Sequence, residues 1–491
     1  MRARTAAVAS AAAALALAAA ALGDRAWVKA SCRPHPRGSF ELYVVGDSTA
    51  DGAVYGRERS FARLASRAFD DRIAGRPVSL RFLSKAGSTI FPQAQWFERA
   101  LSCRDRSAPG AVLIYAGHND RYSTGPMTVW ETLKLRYLMS ASALREALFW
   151  GEYWSLLPRS RSRMTYEFHL RRIVALAKEA GLVPILAAPA ANLSDMDPGL
   201  SRDPAMPEPA TLDALLSTGE ALEAAGRWAE AAAYYESRIS AAAAAGHYFR
   251  YRAAKCRQRL GQDASALAFF RLAADGAKAD AFGRAASAQL ELARELGRET
   301  GSALVDADEI FRRASPHGLP GEDLFVDGQH PNMKGTALLA DAYAGALSAA
   351  FGEPVRRRWA GSLDDARLEP GQRLEALLYA GRWLLNVSIG HLRPRQRLDM
   401  ARRRFEEAAR LDPAGFSPRL GSALVYAAEH STLLSDPREA AWLEKFPSPW
   451  GPRFVVPAGR MPEVIARLER HRVPREMIDG VARSFPREEA R

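Results

Sequence analysis

The chain has 491 residues, of which 48% are hydrophobic and 25% charged, with a formal net charge of +12 at pH 7. That usage is globular and excludes a disordered polyelectrolyte, and the length predicts two to four domains. The positive charge alone would allow a nucleic-acid partner. Yet the basic residues are mostly arginines on predicted helices, as in "RYRAAKCRQR" and "ARRRF", and no paired-cysteine zinc site or RNA-binding aromatic signature accompanies them. We read them as solvated helix faces and expect no nucleic-acid partner.

The first segment, "MRARTAAVASAAAALALAAAALGDRAW", places arginines at 2 and 4 before an apolar run from Ala6 to Leu22. This is the layout of an export signal, assigned here to residues 1–30, and it predicts a periplasmic or extracellular protein. An uncleaved membrane anchor is the alternative, although alanine contributes little to insertion. Lys29 stands three positions before Cys32, where a lipoprotein signal places a hydrophobic residue, so lipidation is not expected. The chain has three cysteines, too few for a disulfide scaffold and without metal-ligand spacing. Cys32 lies ten residues before a strand at Leu42 and Cys103 eight before one at Ala111. Both would sit near one sheet edge if those strands are neighbours, so export permits a bridge between them. Cys256 is left over in a helix.

Short runs rich in Val, Ile and Leu predict strands at 41–46, 78–83, 111–117, 182–189 and 302–307. Helical periodicity lies between them, clearest in "EFHLRRIVALAKEAG" and "AFGRAASAQLELARELG". The alternation predicts an α/β core with a parallel sheet, assembled from residues 38–195 and 280–351, whose strand-end loops gather on one edge. After the fourth strand the chain leaves through "MDPGLSRDPAMPEPA" into alanine-rich helices at 211–279 with an internal repeat. Gly226-Arg227-Trp228 recurs as Gly261-Gln262-Asp263, and Ala231 and Tyr235 recur as Ala266 and Phe270, 35 residues on. The pattern resembles a tetratricopeptide helix pair. A further echo in "ARRRFEEAARLDPAG", with Ala401, Phe405 and Ala408, predicts a separate C-terminal helical domain over 365–491.

Each core strand ends on something polar. Gly46-Asp47-Ser48 follows the first, "SKAGS" with Gly87 the second, "GHND" with Asn119 the third, and "DGQHPN" with Asp327 and His330 lies near the end of the core. Singly these are ordinary turn and cap residues. Together, in this order, they resemble the four blocks of the SGNH, or GDSL-type, serine hydrolase superfamily over about residues 40–195 and 280–350. Two departures are modest: Thr49-Ala50 replaces a leucine-bearing first block, and Asp120 stands where the acid after Asn is often Glu. "YAGHND", "PAANLSDMDPGLS" and "SPHGLPGEDLFVDGQHP" are closer still to the exported bacterial subgroup that carries tetratricopeptide helices before the last block.

The resemblance implies a flavodoxin-like three-layer core with Ser48 as nucleophile and His330 as base, oriented by Asp327. Ser48, Gly87 and Asn119 would form the oxyanion hole, with no metal or organic cofactor. The residue chemistry agrees. A serine hydroxyl needs a base, and His330 is the one histidine among nine that follows an aspartate by three residues. Neither a G-x-S-x-G elbow nor a G-x-x-x-x-G-K loop is present. Ser48 should also start a helix whose N-terminus favours nearby negative charge, while His118, His169 and His317 read as core or surface residues. The expected activity is hydrolysis of an O-acetyl or short-acyl ester of an envelope or extracellular carbohydrate. Acyl transfer to a glycan, lipid-ester hydrolysis and a non-catalytic repeat scaffold are the alternatives. The 211–279 helices are expected to stand above the catalytic edge, control access of an acylated polysaccharide and offer a surface to a protein partner.

Overall fold

The segment FELYVVG, strand β1 (Phe40–Gly46), is buried along its whole length, which requires both faces of its sheet to be covered. A computed structural model describes residues 32–120, 163–200, 209–240, 242–277, 284–445 and 451–486, with residues 23 and 26. The expected export segment, 1–30, lies outside them apart from those two. Among the described residues no helix is long and apolar enough to cross a membrane.

After β1 come a single helical turn, α1 (Ser48–Asp51), then α2 (Phe61–Arg67), β2 (Arg72–Ile73), β3 (Arg76–Ser84), α3 (Ile90–Leu101) and β4 (Gly110–Tyr115). The core continues with α4 (Arg163–Glu179) and β5 (Val183–Ala188). The inserted helices are α5 (Pro209–Ala224), α6 (Trp228–Arg238), α7 (Gly246–Arg259) and α8 (Asp263–Gly276). Then follow α9 (Ser287–Thr300), β6 (Ala303–Asp306), α10 (Ala307–Ala314) and α11 (Met333–Phe351). The strand order is β2-β3-β1-β4-β5-β6. All pairs are parallel except β2 with β3, so this is an α/β fold with a mostly parallel sheet and added helical regions.

Side chains alternate across the pleat. Phe40, Leu42 and Val44 pack with Phe61 of α2, Phe311 of α10 and Tyr343 of α11. Tyr43 and Val45 face the other way, onto Phe97 of α3, Ile173 of α4 and Leu296 of α9. The short β2 was not anticipated; it is a hairpin arm turning through Ala74 (φ 50) and Gly75 (φ 70), too brief to show a period. Helix α9 starts at Ser287 rather than Ala281. Arg284 instead turns inward to donate to the carbonyls of Asn192 (3.2 Å) and Met196 (2.8 Å).

Six more helices follow: α12 (Pro370–Asn386), α13 (Arg395–Leu411), α14 (Phe416–His430), α15 (Pro437–Lys445), α16 (Met461–Arg470) and α17 (Arg475–Ser484). They enclose a core of their own, built around Leu384, Phe405, Leu424 and Val464, which Met196 from the loop after β5 joins. That loop is held from two sides. Tyr251 of α7 donates to the Ser194 carbonyl (2.9 Å), and Gln396 of α13 donates to that of Asp195 (2.8 Å). Arg397, fully buried, donates to the Asp197 carboxylate at 3.1 Å. The reading of arginines as solvated faces therefore needs amending. Arg252 and Arg257 pair with Glu223 (2.7 Å) and Glu236 (2.6 Å) on neighbouring helices. Cys32 and Cys103 are bridged, and Cys256 is free and buried.

Candidate active site

The register aligns Gly46 with Ser84 on one side and with Tyr115 on the other, so β1, β3 and β4 end together. Ser48, Gly87 and Asn119 follow those ends within a few residues and are brought to one edge, where strand order reverses around β1. Gly46 is obligatory there, because a Cβ would lie 2.2 Å from the Tyr115 carbonyl oxygen.

Asp47, rather than Ser48, caps the helix: its carboxylate accepts the Thr49 N–H at 3.1 Å, and Ser48 is the first helical residue. The helix is one turn, closed by Gly52 at φ 74, so the expected macrodipole support reduces to its local N–H groups. Burial pushes the Asp47 carboxyl up to about 6, against the pull of the Thr49 N–H.

Asp327 and His330 sit on the tight turn between Val326, whose N–H donates to the His330 carbonyl (2.9 Å), and Pro331. Asp327 Oδ1 accepts the N–H groups of Gln329 (2.9 Å) and His330 (2.8 Å), leaving Oδ2 for the ring. His330 Nδ1 lies 2.6 Å from Oδ2, and Nε2 lies 2.7 Å from Ser48 Oγ. A carboxylate only accepts, so Nδ1 carries the proton and Nε2 is free to accept from the serine hydroxyl. Burial pulls the imidazole down, but the Asp327 charge and hydrogen bond outweigh it and hold it above its usual 6.5. Burial likewise raises Asp327, and His330 more than offsets it, leaving the carboxyl below its usual range.

Gly87 has φ 76, a left-handed conformation open to glycine. Its neighbour Ser88 accepts the Asn119 amide N–H through its carbonyl at 3.0 Å, which locks the two turns together. An amide nitrogen has two hydrogens, so Asn119 keeps one to present. Asp120 fixes the same corner by accepting the Ile90 N–H at the start of α3 (3.1 Å).

The other singled-out histidines make contacts of their own. His118 is buried beside the Tyr115 ring and pushed down to about 3, by burial first and then by the His330 charge, so it stays neutral. His169 is buried between Phe91 and Phe168, and exposed His317 pairs with Asp263 at 3.0 Å. Two residues missed in the sequence do reach the site. Tyr379 and Trp383 of α12 place their rings edge-on to His330, with centroids 6.0 and 5.8 Å away. The rings against the histidine come from the C-terminal helices, and Tyr251 of α7 packs on the loop after β5. Ser48 and His330 are only 3% and 2% exposed.

No protein-family model and no curated protein matches the sequence. Among solved structures, the chain is similar to a catalytic mutant of Axe2, an acetylxylan esterase from Geobacillus stearothermophilus. The two are 14% identical, with a TM-score of 0.31, covering 66% of this chain and 99% of that one. A second Axe2 mutant, described as an acetyl-xylooligosaccharide esterase, and Axe2 itself each match at 13% identity and TM-score 0.30, with the same coverage.

Proposed function

We propose that the protein is an exported serine esterase of the SGNH type, with a flavodoxin-like core, that removes O-acetyl or other short acyl groups from an envelope or extracellular carbohydrate. The observation that carries the reading is the continuous Ser48–His330–Asp327 relay, 2.7 and 2.6 Å long, inside a buried site. Ser48 attacks the ester carbonyl while His330 Nε2 takes its proton, and the oxyanion is met by N–H groups of Ser48, Gly87 and Asn119. His330 then protonates the departing alcohol, and water, deprotonated by the same nitrogen, releases the acid. The near-complete burial of Ser48 favours a small acyl group. We read α5–α8 and α12–α13 as tetratricopeptide-like pairs, and residues 1–30 as the export signal or an anchor.

Labelling with a fluorophosphonate tests the reading: Ser48 should be modified in the parent and not in Ser48→Ala, which should also lose hydrolysis of 4-nitrophenyl acetate. Activity of Ser48→Ala within a few-fold of the parent would refute it. Adding a glycan acceptor and analysing products distinguishes hydrolysis from acyl transfer.

A further inference from the structure

We propose that Tyr379 and Trp383 of α12 form the surface that binds the alcohol half of the ester, an aromatic platform for a sugar ring supplied by the C-terminal helices. The proposal rests on the esterase reading above. The two residues are one helical turn apart and so share a face. Their rings meet the His330 imidazole at 83° and 74°, nearly perpendicular.

Reaction chemistry fixes which half of the substrate this side receives. When the tetrahedral intermediate collapses, the bond from the carbonyl carbon to the alcohol oxygen breaks, and its electron pair leaves on that oxygen. The proton that His330 took from Ser48 passes from Nε2 to it. The leaving oxygen must therefore sit within hydrogen-bond reach of Nε2, about 3 Å. The carbonyl oxygen points instead to Gly87 and Asn119, so the alcohol projects along the histidine side. There α12 stands. Trp383 is 9% exposed and Tyr379 half-buried, so the first forms the floor and the second the open rim. The Tyr379 phenol is pushed up by burial and by the charges of Asp327 and Asp51. Aromatic faces offer broad apolar area to the C–H face of a pyranose, while the polar rim suits its hydroxyls.

The platform is held in place by the core. Tyr55 donates to Asp365 at 2.8 Å, just before α12, and the same carboxylate accepts the Met333 N–H at 2.9 Å. Arg59 donates to Gln372 in the first turn of α12 at 2.6 Å.

Two substrate series separate the halves of the ester. One varies the alcohol at constant acetyl: ethyl acetate, phenyl acetate and a peracetylated pyranoside. The other varies the acyl chain at constant 4-nitrophenol: acetate, butyrate and hexanoate. For Tyr379→Ala and Trp383→Ala, kcat/KM on the pyranoside relative to ethyl acetate should fall about tenfold or more, the scale of losing one apolar contact in a pocket. Tyr379→Phe should restore it. The hexanoate-to-acetate ratio should stay within about twofold of the parent, since no acyl contact is removed. An unchanged alcohol ratio overturns the proposal, as does a shift of the acyl ratio in its place. Should Trp383→Ala fail to fold, Tyr379→Ala, at the half-buried rim, decides the matter. A parent that neither reacts with fluorophosphonate nor cleaves any ester removes the esterase reading and the platform together. An active parent with indifferent variants removes the platform alone.

Discussion

Replacing Asp327 with Asn leaves the shape of the histidine turn nearly intact and inverts its proton logic. Oδ1 of Asp327 already accepts two backbone N–H groups, at 2.9 and 2.8 Å, and the Asn oxygen should keep them. The new amide nitrogen then faces His330 Nδ1 where Oδ2 stood, 2.6 Å away. Two N–H donors cannot face each other, so Nδ1 must give up its proton and Nε2 must carry it, pointing a donor at Ser48 Oγ. The base is lost. The same tautomer fault in a serine protease costs about 10⁴ in kcat, or roughly 5.4 kcal/mol at 1.36 kcal/mol per decade. The pH profile adds a signed test. In the parent, Asp327 holds the imidazole above 6.5 against the opposing effect of burial. kcat/KM should therefore fall on acidification through a pKa higher than 6.5, where Nε2 becomes protonated. In Asp327→Asn burial acts without that opponent, and the acid limb should move to lower pH. Steady-state hydrolysis of 4-nitrophenyl acetate between pH 4 and 9 reads both effects. A limb that stays put or moves upward, or a loss of less than about tenfold, would refute the coupling of Asp327 to His330.

Asn119→Ala should lower kcat by roughly 10²–10³ with a smaller change in KM, because the amide acts on charge that develops in the transition state; a raised KM at equal kcat would make it a ground-state contact. Arg397→Leu leaves the Asp197 carboxylate, 2% exposed, without its cation, and should cost about 3–5 kcal/mol in urea unfolding. A change under about 1 kcal/mol would mean that the pair contributes little. Reducing the Cys32–Cys103 bridge, which spans a separation of 71 residues, should destabilise the folded chain by about 4 kcal/mol, measured by denaturation with and without dithiothreitol.

What could be read from the sequence was what local chemistry enforces. β1, β4 and β5 announced themselves because strands buried on two faces become continuous apolar runs, β3 and β6 showed as shorter Val- and Leu-bearing runs although only partly buried, and glycine, acid and hydroxyl at strand ends mark the edge where chemistry gathers. Asp327 and His330 were visible because one turn sets their spacing. Tyr379 and Trp383 were not, since they lie about fifty residues beyond His330 and look like any aromatic on the apolar face of a helix. Arg397 was hidden for the same reason: an arginine in a helix rich in arginine gives no sign that it alone is wholly buried. The capping role of Asp47 was ambiguous, because adjacent Asp and Ser are equally good caps and only the geometry chooses.

The inserted and C-terminal helices, far apart in sequence, meet on one short loop, and that loop reaches the histidine turn. Asn192 donates its amide to the Asp327 carbonyl at 3.0 Å, and its backbone N–H to that of Gly328 at 3.0 Å. Two residues on, Ser194 is held by Tyr251 and Lys255 of α7, while Asp195 and Asp197 are held by Gln396 and Arg397 of α13. The turn that aims His330 is thus fastened to a strut clamped from both sides. A displacement of about 1 Å at a reacting group costs on the order of 10² in rate, so a strut of this kind bears directly on turnover. Long helical additions beside an α/β core invite a reading as substrate gates. Among the described residues, the hydrogen bonds fasten α7 and α13 to the loop after β5, and two rings of α12 lie against His330.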